Sequence, residues 1–371
     1  MHHQVKPVLS GLPFEALAEI LKPLPHFRAE QVFRWIARGV SSFQGMTNLA
    51  IPLREDLEGR FSLYSSVIAG RAADPDGTVK LYIRLYDGER IEAVLLTDGA
   101  GRKTACLSTQ AGCPLACVFC KTGTRGLTRN LDSGEILEQF LHLRSIEPEI
   151  ANIVFMGMGE PLLNLPELYK TLAVLTDSRG FGLSKRRITL STSGIIAGIR
   201  HLAATGPAVG LALSLTTADT KLRSRLMPIT LSNPLPLLKD VLYDYQQQQG
   251  RRITLEAVLL GGINTRQEDS DALAAFAAGL DVVVNLIPWN PVEGMVFEGQ
   301  ALQEPSRREI AGYIQRLEGR GLKVTRRLHK GRGIAGACGQ LGALPEISEQ
   351  VSSPASRVGT WLFHVKSHVK I

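Results

Sequence analysis

Apolar positions fall into two regimes along the chain. Up to about residue 65 they recur at helical spacing, first as Phe14, Leu17, Ile20 and Leu21, then as Val32, Phe33, Trp35 and Ile36 within 29–39. A 3.6-residue period of this kind predicts a small helical module over 1–65. Two β-rich runs follow, 79–86 and 90–97, joined through Asp87-Gly88-Glu89, a turn-like junction that fits a hairpin. They place a link over 66–103. From Thr104 onward short apolar runs alternate with longer helical patterns. Strands are expected at about 104–109, 151–156, 187–192, 208–214, 253–259, 281–287 and 322–327, and helices over 133–144, 165–176, 235–248, 270–279 and 306–320. Repeated βα units make a parallel sheet, and six or seven of them favour a full or partial barrel over an open sheet. The expected fold is therefore α/β, a partial (β/α)6 TIM-like barrel over 104–345 behind the helical module and the hairpin. The tail, 346–371, is short of apolar periodicity and is expected to be poorly ordered.

Several polar and glycine positions follow the ends of these strands: 157–161 (Gly-Met-Gly-Glu-Pro), 191–194 (Ser-Thr-Ser-Gly), 214–217 (Ser-Leu-Thr-Thr) and 288–291 (Pro-Trp-Asn-Pro). In a barrel such loops share one mouth, the C-terminal face where ligands bind. Each alone also reads as an ordinary βα turn.

Composition narrows the class. No apolar run approaches the roughly 18 residues of a membrane span, and the N-terminus has no hydrophobic signal region. A cytoplasmic protein with no membrane partner, expected to be a monomer, follows. In that compartment a cluster of cysteines points to metal or catalysis more than to a disulfide framework, and the count, five, is odd. A net charge of +7 and a pI near 9.2 allow a polyanionic partner. The cations gather at Lys121, Arg125 and Arg129, at 185–187, at Arg326, Arg327, His329, Lys330 and Arg332, and in the helical module at Arg28, Arg34 and Arg38. Taken singly each group reads as a solvated face.

Four of the five cysteines lie between Cys106 and Cys120. Cys113, Cys117 and Cys120 form C-x3-C-x2-C, so one loop can aim three thiolates at a common site, and thiolates in this number select zinc or an iron-sulfur cluster. A closed site takes four protein ligands, and the loop offers three. Zinc would need Cys106 or Cys338 as the fourth. A small-residue helical stripe is the bland alternative, with Gly112 and Pro114 against it. Glu92 shares a strand face with Val94 and Leu96, which would set its carboxylate against an apolar surface, although from the residues alone an exposed edge-strand glutamate is the simpler reading.

The cysteine motif resembles the radical S-adenosylmethionine (SAM) superfamily. More specifically, Cys106 seven residues before the first cluster cysteine, the 157–161 segment, the run 185–194 and Ala337-Cys338-Gly339-Gln340-Leu341 together resemble the 23S rRNA adenosine methyltransferases of the RlmN and Cfr type, from about residue 10 to 342. That resemblance implies a [4Fe-4S] cluster on Cys113, Cys117 and Cys120, whose fourth iron binds SAM, and two SAM per turnover. One methylates a cysteine. The 5′-deoxyadenosyl radical from the second removes hydrogen from that methyl group, the carbon radical adds to adenine, and a second cysteine frees the product by forming a disulfide. Carried over, Cys338 is the methylated cysteine and Cys106 the resolving one. Glu92 matches the proton acceptor, a role that a raised pKa on an apolar face would suit. Gly159 and Glu160 match contacts to the SAM amino group, and Ser191, Ser214, Leu215, Thr216 and Asn290 match positions holding its ribose and carboxylate.

The implied substrate is adenosine 2503 of 23S rRNA at C2, with tRNA adenosine as a substrate of some members and a flavodoxin or ferredoxin as electron donor. Methylation at C8 uses the same constellation, and a metal-stabilised RNA-binding protein without catalysis is the rival from another class. Two departures stand out. Thr216 replaces the family's usual His, and the loop before Cys338 is basic and glycine-rich where the family carries acidic residues, which predicts a more flexible loop.

Overall fold

A computed structural model describes residues 6–327 and 329–342; the tail expected over 346–371 lies outside them. The N-terminal module contains α1 (Phe14–Ile20), α2 (His26–Ala37) and α3 (Ile51–Arg60). Phe14, Leu17, Val32, Phe33 and Ile36, the periodic positions of the sequence, are buried and meet in one core. The third helix has no such periodicity, and only Leu57 among its residues is buried.

One ten-stranded sheet follows. Its strands in spatial order are β1 (Val67–Ala73), β2 (Val79–Arg84), β3 (Arg90–Thr97), β4 (Lys103–Cys106), β5 (Asn152–Phe155), β6 (Ile188–Thr192), β7 (Gly210–Ser214), β8 (Ile253–Leu259), β9 (Val282–Pro288) and β10 (Val324–Arg326). The pairs from β1 to β4 are antiparallel and every pair from β4 onward is parallel. The hairpin read as a link is thus hydrogen-bonded directly to the first parallel strand, Val94 standing opposite Cys106.

Helices α4 (Ser133–Arg144), α5 (Leu165–Thr176), α6 (Ile196–Thr205), α7 (Thr220–Leu226), α8 (Leu235–Gln249), α9 (Gln267–Ala277) and α10 (Arg307–Glu318) lie between the parallel strands. The expected helices at 133–144 and 165–176 appear with those bounds. The one expected from 270 begins earlier, because the Asp269 carboxylate accepts from the Arg266 N–H and closes a first turn there. Alternating inward and outward positions give the parallel strands an apolar outer face against these helices and leave Thr189, Ser191, Ser214 and Glu256 directed away from it.

The module docks through a buried carboxylate on α4. Glu138 accepts from the Ser65 and Ser66 N–H groups at 2.9 and 2.8 Å and from the hydroxyls of Ser10 and Ser66. Burial still pushes its pKa up.

Candidate active site

The cysteine loop starts from a short strand, Gln110–Gly112, paired with Leu127–Asn130. Gly112 has φ +85°, and a Cβ there would stand 2.0 Å from the Gly126 carbonyl, so only glycine lets the chain turn into the loop. The loop is tied by Cys113 N–H to Gly126 O (2.8 Å), Val118 N–H to Leu226 O (3.1 Å) and Lys121 N–H to Gly339 O (2.7 Å). The last bond joins it to the segment carrying Cys338. Leu115 and Phe119 anchor it in the core, and Trp289 Nε1 donates to the Phe119 carbonyl at 3.0 Å.

All five cysteines are free thiols, so the disulfide expected between Cys106 and Cys338 is not formed in this structure. Burial, the dominant cause, pushes Cys113 up to about 12 and raises Cys117 and Cys120 as well, with the neighbouring thiols adding to it. Such thiols need positive charge beside them before they lose their protons, which an iron-sulfur core supplies. Among the described residues no group of three or more His, Cys, Asp or Glu side chains converges on one metal ion. A cluster in which each thiolate takes its own iron does not require such convergence, and the three-thiol set fits it.

A cavity of about 160 Å³ adjoins the loop. Cys120, Gly159, Glu160, Ser191, Ser214, Asn290 and Cys338, all singled out in the sequence, line it. Leu215 and Thr216 do not, and Leu215 is wholly buried in the core. Thr216 sits at φ +62° with its hydroxyl buried and without a hydrogen-bond partner among the described residues.

Glu160 is held by its own surroundings. Its carboxylate accepts from Ser193 N–H at 2.8 Å and Leu162 N–H at 3.2 Å, and its own N–H donates to Gln110 Oε1 at 2.8 Å. Desolvation outweighs these bonds and raises its pKa. The hydroxyls of Ser191 and Ser214 lie 3.2 Å apart. Asn290 Nδ2 donates to the Cys338 carbonyl at 3.1 Å, while its Oδ1 meets His329 Nδ1 at 2.7 Å, so it is a strut of the Cys338 segment rather than a free turn residue.

Cys106 and Cys338, more than two hundred positions apart, line one small cavity beside the larger one. Burial pushes Cys106 up to about 12, the nearby Cys338 adds to this, and the Arg327 cation opposes it.

Glu92 departs from its sequence reading. It is fully buried, but its face is not simply apolar: Lys80 Nζ stands 2.8 Å from its Oε1, and its Oε2 accepts from the Gly342 N–H. It lines neither cavity. The Cys338 segment, expected to be flexible, is held along its length. Asp76 and Asp74 accept from the N–H groups of Gly331 and Gly333 at 2.8 and 2.9 Å, Lys80 donates to Ala335 O at 3.0 Å, and Thr122 Oγ1 donates to Leu341 O at 2.6 Å. Gly331, Gly339 and Gly342 supply left-handed turns there rather than looseness.

Sequence reasoning missed Lys80, Gln110, Glu256 and Arg327 as members of the site. A lysine alternating with Leu81 and Ile83 in an apolar strand was the available signal for Lys80.

Comparison with known proteins agrees with this geometry. Residues 107–268 match the radical SAM superfamily, and 9–63 match the ribosomal RNA large subunit methyltransferase N-terminal domain. The chain is 50% identical to a probable dual-specificity RNA methyltransferase RlmN of Treponema denticola over 91% of its own length and 96% of the relative's. The corresponding Treponema pallidum protein is 46% identical over 90% and 97%. A crystal structure of a radical SAM methyltransferase from Sphaerobacter thermophilus superposes with a TM-score of 0.86 at 37% identity, covering 91% of this chain and all of that one. With three partly buried thiols on one loop, a further cysteine pair lining a cavity beside them and relatives matched over nine-tenths of the chain, the chain belongs to the RlmN-type radical SAM RNA methyltransferases.

Proposed function

We propose that this enzyme methylates C2 of adenosine 2503 in 23S rRNA and, as its relatives' dual-specificity name suggests, a tRNA adenosine as well. The observation carrying the reading is that Cys106 and Cys338 line one small cavity adjoining that of Glu160, Ser191 and Ser214.

Cys113, Cys117 and Cys120 would hold a [4Fe-4S] cluster, and Gly159, Glu160, Ser191, Ser214 and Asn290 would hold SAM. Together these groups supply a methyl group for a thiolate and a radical able to take hydrogen from that methyl, the electron arriving from a flavodoxin or ferredoxin. The protein's own work is to present and release the carbon. Cys338, its backbone fixed by Asn290, carries the one-carbon unit to the adenine; after the carbon adds to C2 the adduct gives up one electron, matching the one the reductant supplied, and the C2 hydrogen leaves as a proton to a base. Cys106 then gives up its proton and attacks the Cys338 sulfur. The S–S bond forms, the bond from Cys338 sulfur to carbon breaks, and its electron pair with one proton completes the methyl group on the base. Two thiols are thereby oxidised to a disulfide that a cellular reductant must reopen. The Arg327 cation favours the Cys106 thiolate against burial. Glu92 as proton acceptor requires the Lys80 pair to open, since neither group reaches either cavity as it stands.

Anaerobic incubation of the reconstituted protein with SAM and a reductant tests the reading. It predicts 5′-deoxyadenosine in solution and a methyl group on the Cys338 peptide. Absence of both would leave a binding protein.

A further inference from the structure

An electron passes between two proteins only over a short gap, so a donor to the cysteine loop has to seat where that loop comes nearest to solvent. Cys113, Cys117 and Cys120 are half-buried, and Pro114 and Ala116 between them are exposed. One flank of the loop is fastened to the strand Leu127–Asn130, and the other, through Val118 N–H and Leu226 O, to the end of α7. Both flanks present a leucine to solvent. Leu127 is 43% exposed, and Leu231, on the turn Pro228–Leu231 that follows α7, is 77% exposed. That turn is braced on α7 by Arg223 Nη1, which donates to Thr230 Oγ1 at 2.7 Å.

The charge of these two segments has one sign. Residues 106–131 and 220–233 contain no Asp or Glu and hold Lys121, Arg125, Arg129, Lys221, Arg223 and Arg225. Three of the six are spoken for: Arg129 pairs with Asp87 and Glu135, Arg225 pairs with Glu298, and Arg223 is buried near Cys117. Lys121, Arg125 and Lys221 form no ion pair among the described residues, and the last two are exposed.

Exposed leucines among unpaired cations complement an acidic protein. Charge brings such a partner in quickly and sets its orientation, while a small apolar contact suffices for an encounter that must also end. RNA, the other polyanion, is gripped on aromatic planes as well as by cations. The two segments hold one aromatic residue, Phe119, and it is buried.

We propose that the face centred on Pro114 and Ala116, and flanked by Leu127, Lys221 and Leu231, is the docking site of an acidic one-electron carrier protein. In the docked pair the carrier is oxidised by one electron and the group on the three thiolates is reduced by one. No atom passes between the proteins. The assignment rests on the reading that these cysteines hold a redox-active cluster.

Leu127→Asp on one flank, and Lys221→Glu with Leu231→Asp on the other, set negative charge at exposed positions. Reduced bacterial flavodoxin is the probe, and dithionite, a small reductant that needs no docking face, is the control. Calorimetry with the reconstituted protein should show flavodoxin affinity lower by at least about tenfold in either variant, and falling in the parent as salt is raised. Formation of 5′-deoxyadenosine from SAM should drop by at least about tenfold with flavodoxin as donor. With dithionite it should stay within about twofold of the parent, as should affinity for an RNA stem-loop carrying the target adenosine. Flavodoxin affinity retained in both variants overturns the proposal. So does an equal fall with dithionite, which would place the damage in the cluster or the fold. Loss of RNA binding with flavodoxin binding kept overturns it too and gives the face to RNA. A parent that yields no 5′-deoxyadenosine with dithionite removes instead the reading beneath it.

Discussion

Replacing Lys80 with Met removes the countercharge of a carboxylate that has no exposure. The Lys80 and Glu92 side chains are 1% and 0% exposed, and their charged atoms stand 2.8 Å apart. Each also grips the Cys338 segment, Lys80 at Ala335 O and Glu92 at Gly342 N–H. Losing one partner of such a pair costs about 3–5 kcal/mol, because the other is left charged and unpaired, whereas an exposed pair is worth about 0–1 kcal/mol. Lys80→Met, Glu92→Leu and the double variant, compared by urea denaturation, separate these cases. Either single variant should lose several kcal/mol, and the double variant should recover part of the loss, since apolar side chains can replace a buried pair. Hydrogen exchange over 331–342 should quicken in Lys80→Met, as the strap loses its anchor. A loss below about 1 kcal/mol, or a double variant as unstable as the two losses summed, would refute the claim that this pair is buried and coupled.

Three further outcomes follow. Cys106→Ala should keep the cluster chromophore and accumulate RNA bound covalently to the protein, visible on a denaturing gel; loss of the chromophore would show that the cysteines are divided wrongly. Gly159→Ala places a Cβ 2.6 Å from that of Gln110 at φ +99°, so it should cost at least about 1 kcal/mol and weaken SAM binding measured by calorimetry. An unchanged SAM affinity would separate Gly159 from the site. Burial lowers the His142 pKa from 6.5 to about 4. The unfolded chain takes the proton first, so stability held above about pH 6.5 falls as pH drops towards 4, by about 3 kcal/mol for this group. His142→Gln should flatten that part of the stability curve, and a variant with the parent's slope would contradict the assignment.

The chemistry of the cysteine loop was legible because it is local: three thiols within eight residues need no tertiary information. The strands and main helices were legible from their periods. What escaped lies across the sheet. Lys80 and Glu92 sit on adjacent strands, and only the register that sets Glu92 opposite Tyr82 and Lys80 opposite Val94 brings their charges together. The threonines of β4, β6, β8 and β10 read as ordinary strand residues. They become a hollow only when the pleat turns them all to one axis. The Cys338 segment looked flexible from its glycines, yet its anchors come from residues 74–92, 122 and 290, none of them near it in sequence.

The most direct test of the account is nucleoside analysis of 23S rRNA from a host carrying the gene and from the same host lacking it. The account predicts 2-methyladenosine at position 2503 only when the gene is present. 8-Methyladenosine there, or identical nucleosides in both hosts, would contradict it.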